Sequence, residues 1–465
     1  MSNTVIDSIR EKLSRILTYK NQIKTEAIAK GAEIDDTTTL REYPEKIAGI
    51  SVSSNTETYY LTTTSTDATY LSSSYVKYDP RCFRVILDPS ITSIYMNTFS
   101  AGTISSSVDN LYKSGSYVSP YIGGMMGYIE GQNVSYIGSS AFHKCGHLRD
   151  AVFPNVKEIG QSAFFYCSQL ESVSFPLLSS LPVYGFYGCW TLSSVYTPLV
   201  TQIPYSCFCS CSKLSSFDFT RITGVGTSAF YNCKELSGIL SSPTLISIYS
   251  NAFRGTALTE VNLPNATTVE SNAFAYCYQL SKIALPNYSG KVDFLLQCSG
   301  LIEFSIPNCT YINYLNRGFV SEVYAPLCSG LGMMAFTSLE TLLRVHLGSV
   351  DYFASSVFSN CTNLSYVRVA GLSSISASTS SSYQTFRNCY NLVSLYILGS
   401  NICTLQHSNA FSSTPIAGYS ASTGCYGSIF VRASLVDSYK SATNWTYFSS
   451  RFVGLTDEEI EALPY

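Results

Sequence analysis

Sixteen cysteines are the first residues in this chain that invite a chemical reading. Thiolates attack electrophiles, bind metals or pair as disulfides, and each role needs its own spacing. Cys145, Cys167, Cys189, Cys211 and Cys233 recur every 22 residues, and Cys277 follows at twice that interval. Cys207, Cys209 and Cys211 alternate without a second Cys-x-x-Cys pair, so a zinc site is not expected there; Cys207 and Cys211 keep regular positions and Cys209 is extra. His143 and His147 flank Cys145 at a spacing that would share one helix face, but in so short a segment they read as two surface histidines. Carboxylates are scattered singly, and there is no Gly-rich phosphate loop, nucleophile elbow or zincin motif. With no acid, base and nucleophile gathered together, the expectation is a protein that is not an enzyme and has no cofactor or metal. The cysteines then read as free thiols filling a small inward position. Neighbouring copies would meet the distance a disulfide needs, but a reducing compartment would keep them apart.

The elements that must position these residues follow from the same period. Phe142, Phe164, Phe186, Phe208 and Phe230 keep the 22-residue step three places before each Cys. Leu148, Leu170, Leu192, Leu214, Leu236, Leu258 and Leu280 keep it three places after the Cys position, and Pro154, Pro176 and Pro198 continue the frame. The unit reads I-G-x-x-A-F-x-x-C-x-x-L-x-x-V-x-F-P, clearest from Ile159 to Pro176 and from Val269 to Pro286; it weakens after Pro307 and returns at Phe358, Cys361, Leu364 and at Phe386, Cys389, Leu392. One copy cannot bury its own apolar positions, so copies must stack around a continuous core. Alternation after the Leu, as in Leu170, Val173, Phe175, predicts a short strand. The Ala-Phe-x-x-Cys segment predicts a single helical turn on the other side. The fold class expected is a β-rich α/β solenoid, with about 15 rungs spaced about 4.8 Å apart, on the order of 70 Å long, and one long strand face.

On these residues the repeats resemble the BspA-like class of leucine-rich repeat, common in bacterial surface proteins and in proteins of gut phages. The resemblance covers about two thirds of the chain. It implies a binding surface, usually adhesin-like, and brings no catalytic residues with it; fold alone does not specify activity.

The ends differ from the array. Residues 1–50 read as a helical attachment or oligomerisation module: Ile6, Ile9, Leu13, Ile16, Lys20, Ile23 and Ala27 are spaced as the a and d positions of a heptad seam. Such a seam serves either an amphipathic helix on its own domain or self-association, a trimer being one form, and docking to a partner. Residues 31–47 resemble a small module that precedes variable domains in phage and prophage tail proteins, which implies tail or baseplate partners. Residues 51–84, rich in Ser, Thr and Tyr, read as a linker or β cap, residues 85–425 as the solenoid, and residues 426–465 as a C-terminal cap. Within the cap, 429–445 resembles the strand-plus-helix closure found after such arrays, and the acidic stretch from Asp457 to Glu461 reads as a solvated end.

Composition narrows the function. With 28 Lys+Arg, 31 Asp+Glu and a net charge of −3, no nucleic-acid partner is expected. No apolar run reaches the roughly 20 residues that span a bilayer, so membrane insertion is not expected. Charges throughout residues 1–20 leave no room for a secretory signal, so export by that route is not expected either. Asn-x-Ser/Thr triplets at Asn133, Asn265 and Asn444 are what chance gives in so Ser/Thr-rich a chain. The outward strand positions, two and four after each ladder Leu, are the candidate ligand surface: Ser172 and Ser174, Ser194 and Tyr196, Ser216 and Asp218, Glu260 and Asn262, Lys282 and Ala284, Glu303 and Ser305, then Glu322 and Tyr324. Tyr196, Asp218, Asn262, Lys282, Glu303 and Tyr324 are expected to form one stripe, since Tyr among small hydroxyls suits adaptable recognition; a merely solvated sheet is the alternative. The leading expectation is a phage tail-fibre or tail-associated adhesin, made in the host cytoplasm and carried on the virion, that binds a host-surface glycan or protein. The alternative is a bacterial cell-surface adhesin.

Overall fold

The computed structural model describes residues 58–61, 70–71, 84–87, 89–100, 126–313, 315, 318–333, 335–376 and 384–463. The seam residues Ile6, Ile9, Leu13, Ile16 and Ile23 and the segment 31–47 lie outside these. Tyr59–Tyr465 form one unit, in which each repeat makes one coil.

Most coils add a strand to a parallel ladder. The first sheet runs through Thr58–Leu61, Arg84–Leu87, Tyr128–Glu130, Asp150–Val152, Ser172–Ser174 and Ser194–Tyr196. The second runs through Ser237–Ser241, Ala257–Asn262, Lys282–Ala284 and Glu303–Ser305. The third takes Glu322–Ala325, Arg344–Phe353, Tyr366–Ile375, Ser394–Ile397, Ser428–Arg432 and Phe452–Leu455. Among the described residues the strand face is therefore three hydrogen-bonded sheets and not one. Nor is it alone: the Ile or Val at the start of the repeat unit ends a two-residue strand, and these strands form further parallel sheets, one through Tyr136–Ile137 and Glu158–Ile159 and another through Gln202–Ile203, Gly224–Val225, Ser247–Ile248 and Thr268–Val269. Two residues are too few to show alternation, so this side gave no strand signal in the sequence.

The Ala-Phe-x-x-Cys segment is not the helical turn expected of it. One residue before the Ala and one before the Cys sit in the left-handed region: Ser140 and Lys144 at φ 55° and 61°, Ser162 and Tyr166 at 56° and 55°, Ser228 and Asn232 at 56° and 58°. A right-handed helix does not run through such residues, so the chain bends twice within five positions. The bends point N–H groups at the next coil. Ser162 donates to the Val183 carbonyl at 3.0 Å, Phe164 to Gly185 at 2.9 Å and Tyr166 to Tyr187 at 2.7 Å. This third ladder of backbone bonds offsets the roughly 1–2 kcal/mol that each left-handed residue costs.

Inside the coils the Phe rings stack in file. Centroids lie 4.9 Å apart for Phe142 and Phe164, and 5.4 to 5.5 Å apart from Phe164 through Phe186, Phe208, Phe230 and Phe253 to Phe274. The file breaks at Phe294, which meets Phe274 edge-on at 6.2 Å, and resumes through Phe336, Phe358, Phe386 and Phe411 at 5.2 to 5.3 Å. The break begins at Phe294, one coil before the sequence frame weakens after Pro307. Each of these rings is buried, and burial of one such side chain contributes about 1.5–3 kcal/mol.

The array closes with the strand and helix expected of residues 429–445, and with one strand more. Ser428–Arg432 pairs with Ser394–Ile397, the helix Val436–Ser441 follows, and Phe452–Leu455 adds a last parallel strand. Trp445 is fully buried and donates its Nε1–H to the Cys403 carbonyl at 2.7 Å, while the Tyr439 hydroxyl accepts the Cys403 N–H at 2.8 Å. The acidic end is solvated, as expected, and is also helical: Asp457–Glu461 is a short exposed helix with Thr456 and Glu459 in a capping box, and Asp457 pairs with Arg432.

Candidate binding surface

Alternation along each strand buries the middle residue and exposes its neighbours, as in Ser172, Val173 and Ser174. Register then assigns the exposed residues to two columns. Glu260, Lys282 and Glu303 stand level in the first column, and Asn262, Ala284 and Ser305 in the second. The six predicted ligand residues thus do not share one stripe: Lys282 and Glu303 occupy the first column, whereas Tyr196 and Asn262 lie in the second, beside Ser174 and Ala284 respectively. Tyr324 is level with His346 in the third sheet. Asp218 belongs to a segment with no strand between the first two sheets.

The first column largely satisfies itself. Lys282 meets Glu303 at 2.6 Å, and Glu322 meets Arg344 at 4.0 Å. The Lys282 pKa is raised by its hydrogen bond to Glu303. Asp218 is likewise engaged, accepting the Thr220 backbone N–H at 2.9 Å and its hydroxyl at 2.7 Å, bonds that lower the carboxyl pKa. Tyr196 remains 57% exposed and Tyr324 42%.

In the third sheet the second column runs Tyr324, His346, Arg368, Tyr396, Phe430 in direct register. The Tyr324 ring meets His346 edge-on at 5.1 Å, and Tyr396 stacks on Phe430 at 4.3 Å with 8° between planes. Tyr366, from the first column, leans on Tyr396 at 5.0 Å. Burial and the Arg368 charge hold the His346 pKa down to about 4, so its imidazole is neutral at neutral pH. Only Tyr324 of this column was named from sequence. The signal was present, since Leu364 and Leu392 place Tyr366, Arg368, Ser394 and Tyr396 at the same offsets of two and four.

On the turn side, the thiols lie where the repeat predicts them, and they are buried. Each ladder Sγ–H donates to the carbonyl of the Phe one coil earlier: Cys167 to Phe142 at 3.0 Å, Cys189 to Phe164, Cys211 to Phe186 and Cys233 to Phe208, each at 3.1 Å. The same Phe142 oxygen already accepts the Cys145 N–H at 3.1 Å, so both lone pairs are used. Where threonine takes the Cys place the bond stays within the coil: Thr256 donates to Phe253 at 2.9 Å and Thr414 to Phe411 at 2.7 Å, and the Phe253 oxygen also accepts the Cys277 thiol at 3.2 Å. Burial pushes the Cys277 thiol up to about 11 and Cys361 up to about 12. These are poor nucleophiles at neutral pH. His143 stacks on Phe165 at 5.0 Å and His147 is exposed. Among the described residues no group of three or more His, Cys, Asp or Glu side chains is placed to hold a metal ion. A hollow of about 710 Å³ opens near the C-terminal end, lined by neutral groups including Asn363, Tyr390, Asn391, Tyr419 and Ser422.

Comparison with known proteins bears on the fold. Residues 135–243, 223–318 and 325–425 match the family described as BspA type leucine rich repeat region, together more than half of the chain. No curated protein matches it. Solved structures similar in fold include a leucine rich cell surface protein from Faecalibacterium prausnitzii (20% identity, 62% of this chain and 79% of that one, TM-score 0.35). Others are leucine-rich repeat proteins from Bacteroides ovatus (16%, 65% and 88%, TM-score 0.35) and Eubacterium ventriosum (19%, 73% and 85%, TM-score 0.30).

Proposed function

Because the chain belongs to the BspA-type leucine-rich repeat family, we propose that it is a non-enzymatic binding protein acting as a bacterial cell-surface adhesin, with a host-surface glycan or protein as its ligand. The observation that carries this reading is the column Tyr324, His346, Arg368, Tyr396, Phe430, an exposed ring followed by half-buried rings and a cation at fixed intervals on a hydrogen-bonded sheet, with Arg368 also donating to the Leu463 carbonyl at 3.4 Å. Aromatic side chains give large contact area at low entropic cost, and the rungs hold them in place before a ligand arrives. Thiols pushed above the physiological range by burial favour a role in packing over one in catalysis. The tail-fibre reading draws on the likeness of residues 31–47 and on the charges of residues 1–20, all outside the described structure and outside the family match, which begins at residue 135, and the family match favours the bacterial reading.

Flow cytometry of the purified full-length chain on cultured epithelial cells tests the proposal. Tyr396→Ala and Phe430→Ala should each reduce binding roughly tenfold, as expected when an interface loses an anchoring ring. Cell binding that survives both changes together would move the ligand site off this face.

A further inference from the structure

The coil that carries Phe253 is one residue short. From Phe to ladder Leu there are six steps in Phe230 to Leu236 and in Phe274 to Leu280, but five in Phe253 to Leu258. The loop after the Cys position therefore recedes between two longer neighbours and leaves a notch of about 400 Å³. Gly255 forms its floor at φ +73°, where an added Cβ would come within 2.8 Å of Asn232 Oδ1, so a side chain there would fill the space.

The walls of the notch are rings and cations. The Arg254 guanidinium lies over Tyr276 at 4.6 Å and toward Tyr231 at 5.7 Å, and its Nη1 donates to Asn251 Oδ1 at 3.2 Å. Tyr276 and Tyr278 meet edge-on at 6.1 Å and make a corner whose outer ring is 57% exposed. Lys234 lines the opposite rim, and no carboxylate lines the notch. The nearest acid in sequence, Glu235, is engaged by Lys213 at 2.5 Å. Among the described residues neither Arg254 nor Lys234 has a carboxylate partner.

Two uncompensated cations attract an anion, and aromatic ring faces suit the apolar face of a sugar ring. Asn232 and Gln279 add amides that both donate and accept, as hydroxyls require. We propose that this notch, on the turn side and independent of the strand-face column, binds a carboxylated sugar unit of a glycan, with Arg254 and Lys234 on the carboxylate and Tyr276 and Tyr278 against the ring.

Calorimetric titration of the full chain with 3′-sialyllactose, a galacturonic acid dimer, lactose and tetraglutamate tests this. At least one acidic sugar should bind, with lactose at least tenfold weaker. Arg254→Met and Tyr278→Ala should each weaken that binding tenfold or more, as should inserting one Ser after Ala257 to restore the neighbours' loop length, while Tyr396→Ala leaves it unchanged. Circular dichroism shows whether each variant is folded, and Tyr278→Ala alters a side chain already exposed. The proposal is overturned if neither acidic sugar binds at millimolar concentration, if folded Arg254→Met and Tyr278→Ala bind as the parent does, or if tetraglutamate binds as tightly as the sugars, which would make the site a peptide reader.

Discussion

Each ladder cysteine supplies a hydrogen-bond donor in a place where alanine would only fill space. The Phe142 and Phe164 carbonyls beneath Cys167 and Cys189 belong to buried residues and take their second hydrogen bond from the thiol. Burial also ties these thiols to pH. Below about pH 9 the thiol is protonated in both folded and unfolded chains, so it has no effect on the balance. Above that, unfolded Cys277 ionises while the folded residue, with its pKa raised to about 11, keeps its proton. The unfolded state then binds fewer protons, and stability falls as pH rises from 9 to 11, by on the order of 3 kcal/mol for this one group. Urea denaturation at pH 8, 9.5 and 10.5 should show a progressive drop in midpoint; a midpoint level across that range would mean the thiols are not held protonated.

The turn, at the scale of an element, depends on backbone conformations that most side chains resist. Ser228 sits at φ 56° with its N–H directed to the Ser250 carbonyl at 2.9 Å. Ser228→Val should cost about 2 kcal/mol or more, because a β-branched residue suits this region poorly, whereas Ser228→Gly should stay close to the parent; equilibrium denaturation of the pair checks this. The same conformations explain what could be read beforehand and what could not. The spacing of Phe, Cys and Leu disclosed the stack, its strand and its inward face, because packing constrains residue type at those positions. Most of the left-handed residues are Ser or Asn, and Asn favours that region, but Lys, Tyr and Gln take the place in other coils and Ser is common throughout the chain, so the sequence reads there as a helical turn. The two-residue ladder was hidden by its brevity. In the candidate surface, exposure of Tyr196 and Tyr324 followed from alternation, but the division into two columns depends on inter-coil register, and the notch on a one-residue gap that shows only when three coils are set side by side.

For the molecule as a whole, the array is held at its end by what covers the last coil. Phe411 ends its file of rings against Phe448 at 5.1 Å, edge-on, and Trp445 at 5.9 Å. Without this cover the final coil would present core and an unpaired strand edge to solvent, a template for association. Trp445→Ala removes a fully buried side chain along with the Cys403 hydrogen bond. It should cost about 3–5 kcal/mol and bring concentration-dependent aggregation, readable by light scattering during a thermal ramp. A variant that melts like the parent and stays monodisperse would show that the stack needs no cover.

The three ladders have a mechanical consequence. Their hydrogen bonds run along the stacking direction, from one coil to the next, while the covalent chain runs around each coil. A load applied along the stack pulls these bonds in line and not in shear, so coils detach one at a time, each peeling from its neighbour while the rest stay wound. One coil holds 22 residues in the regular part of the array, and drawn straight it releases on the order of 75 Å of slack. A tether built this way yields in small steps and lengthens severalfold before it parts.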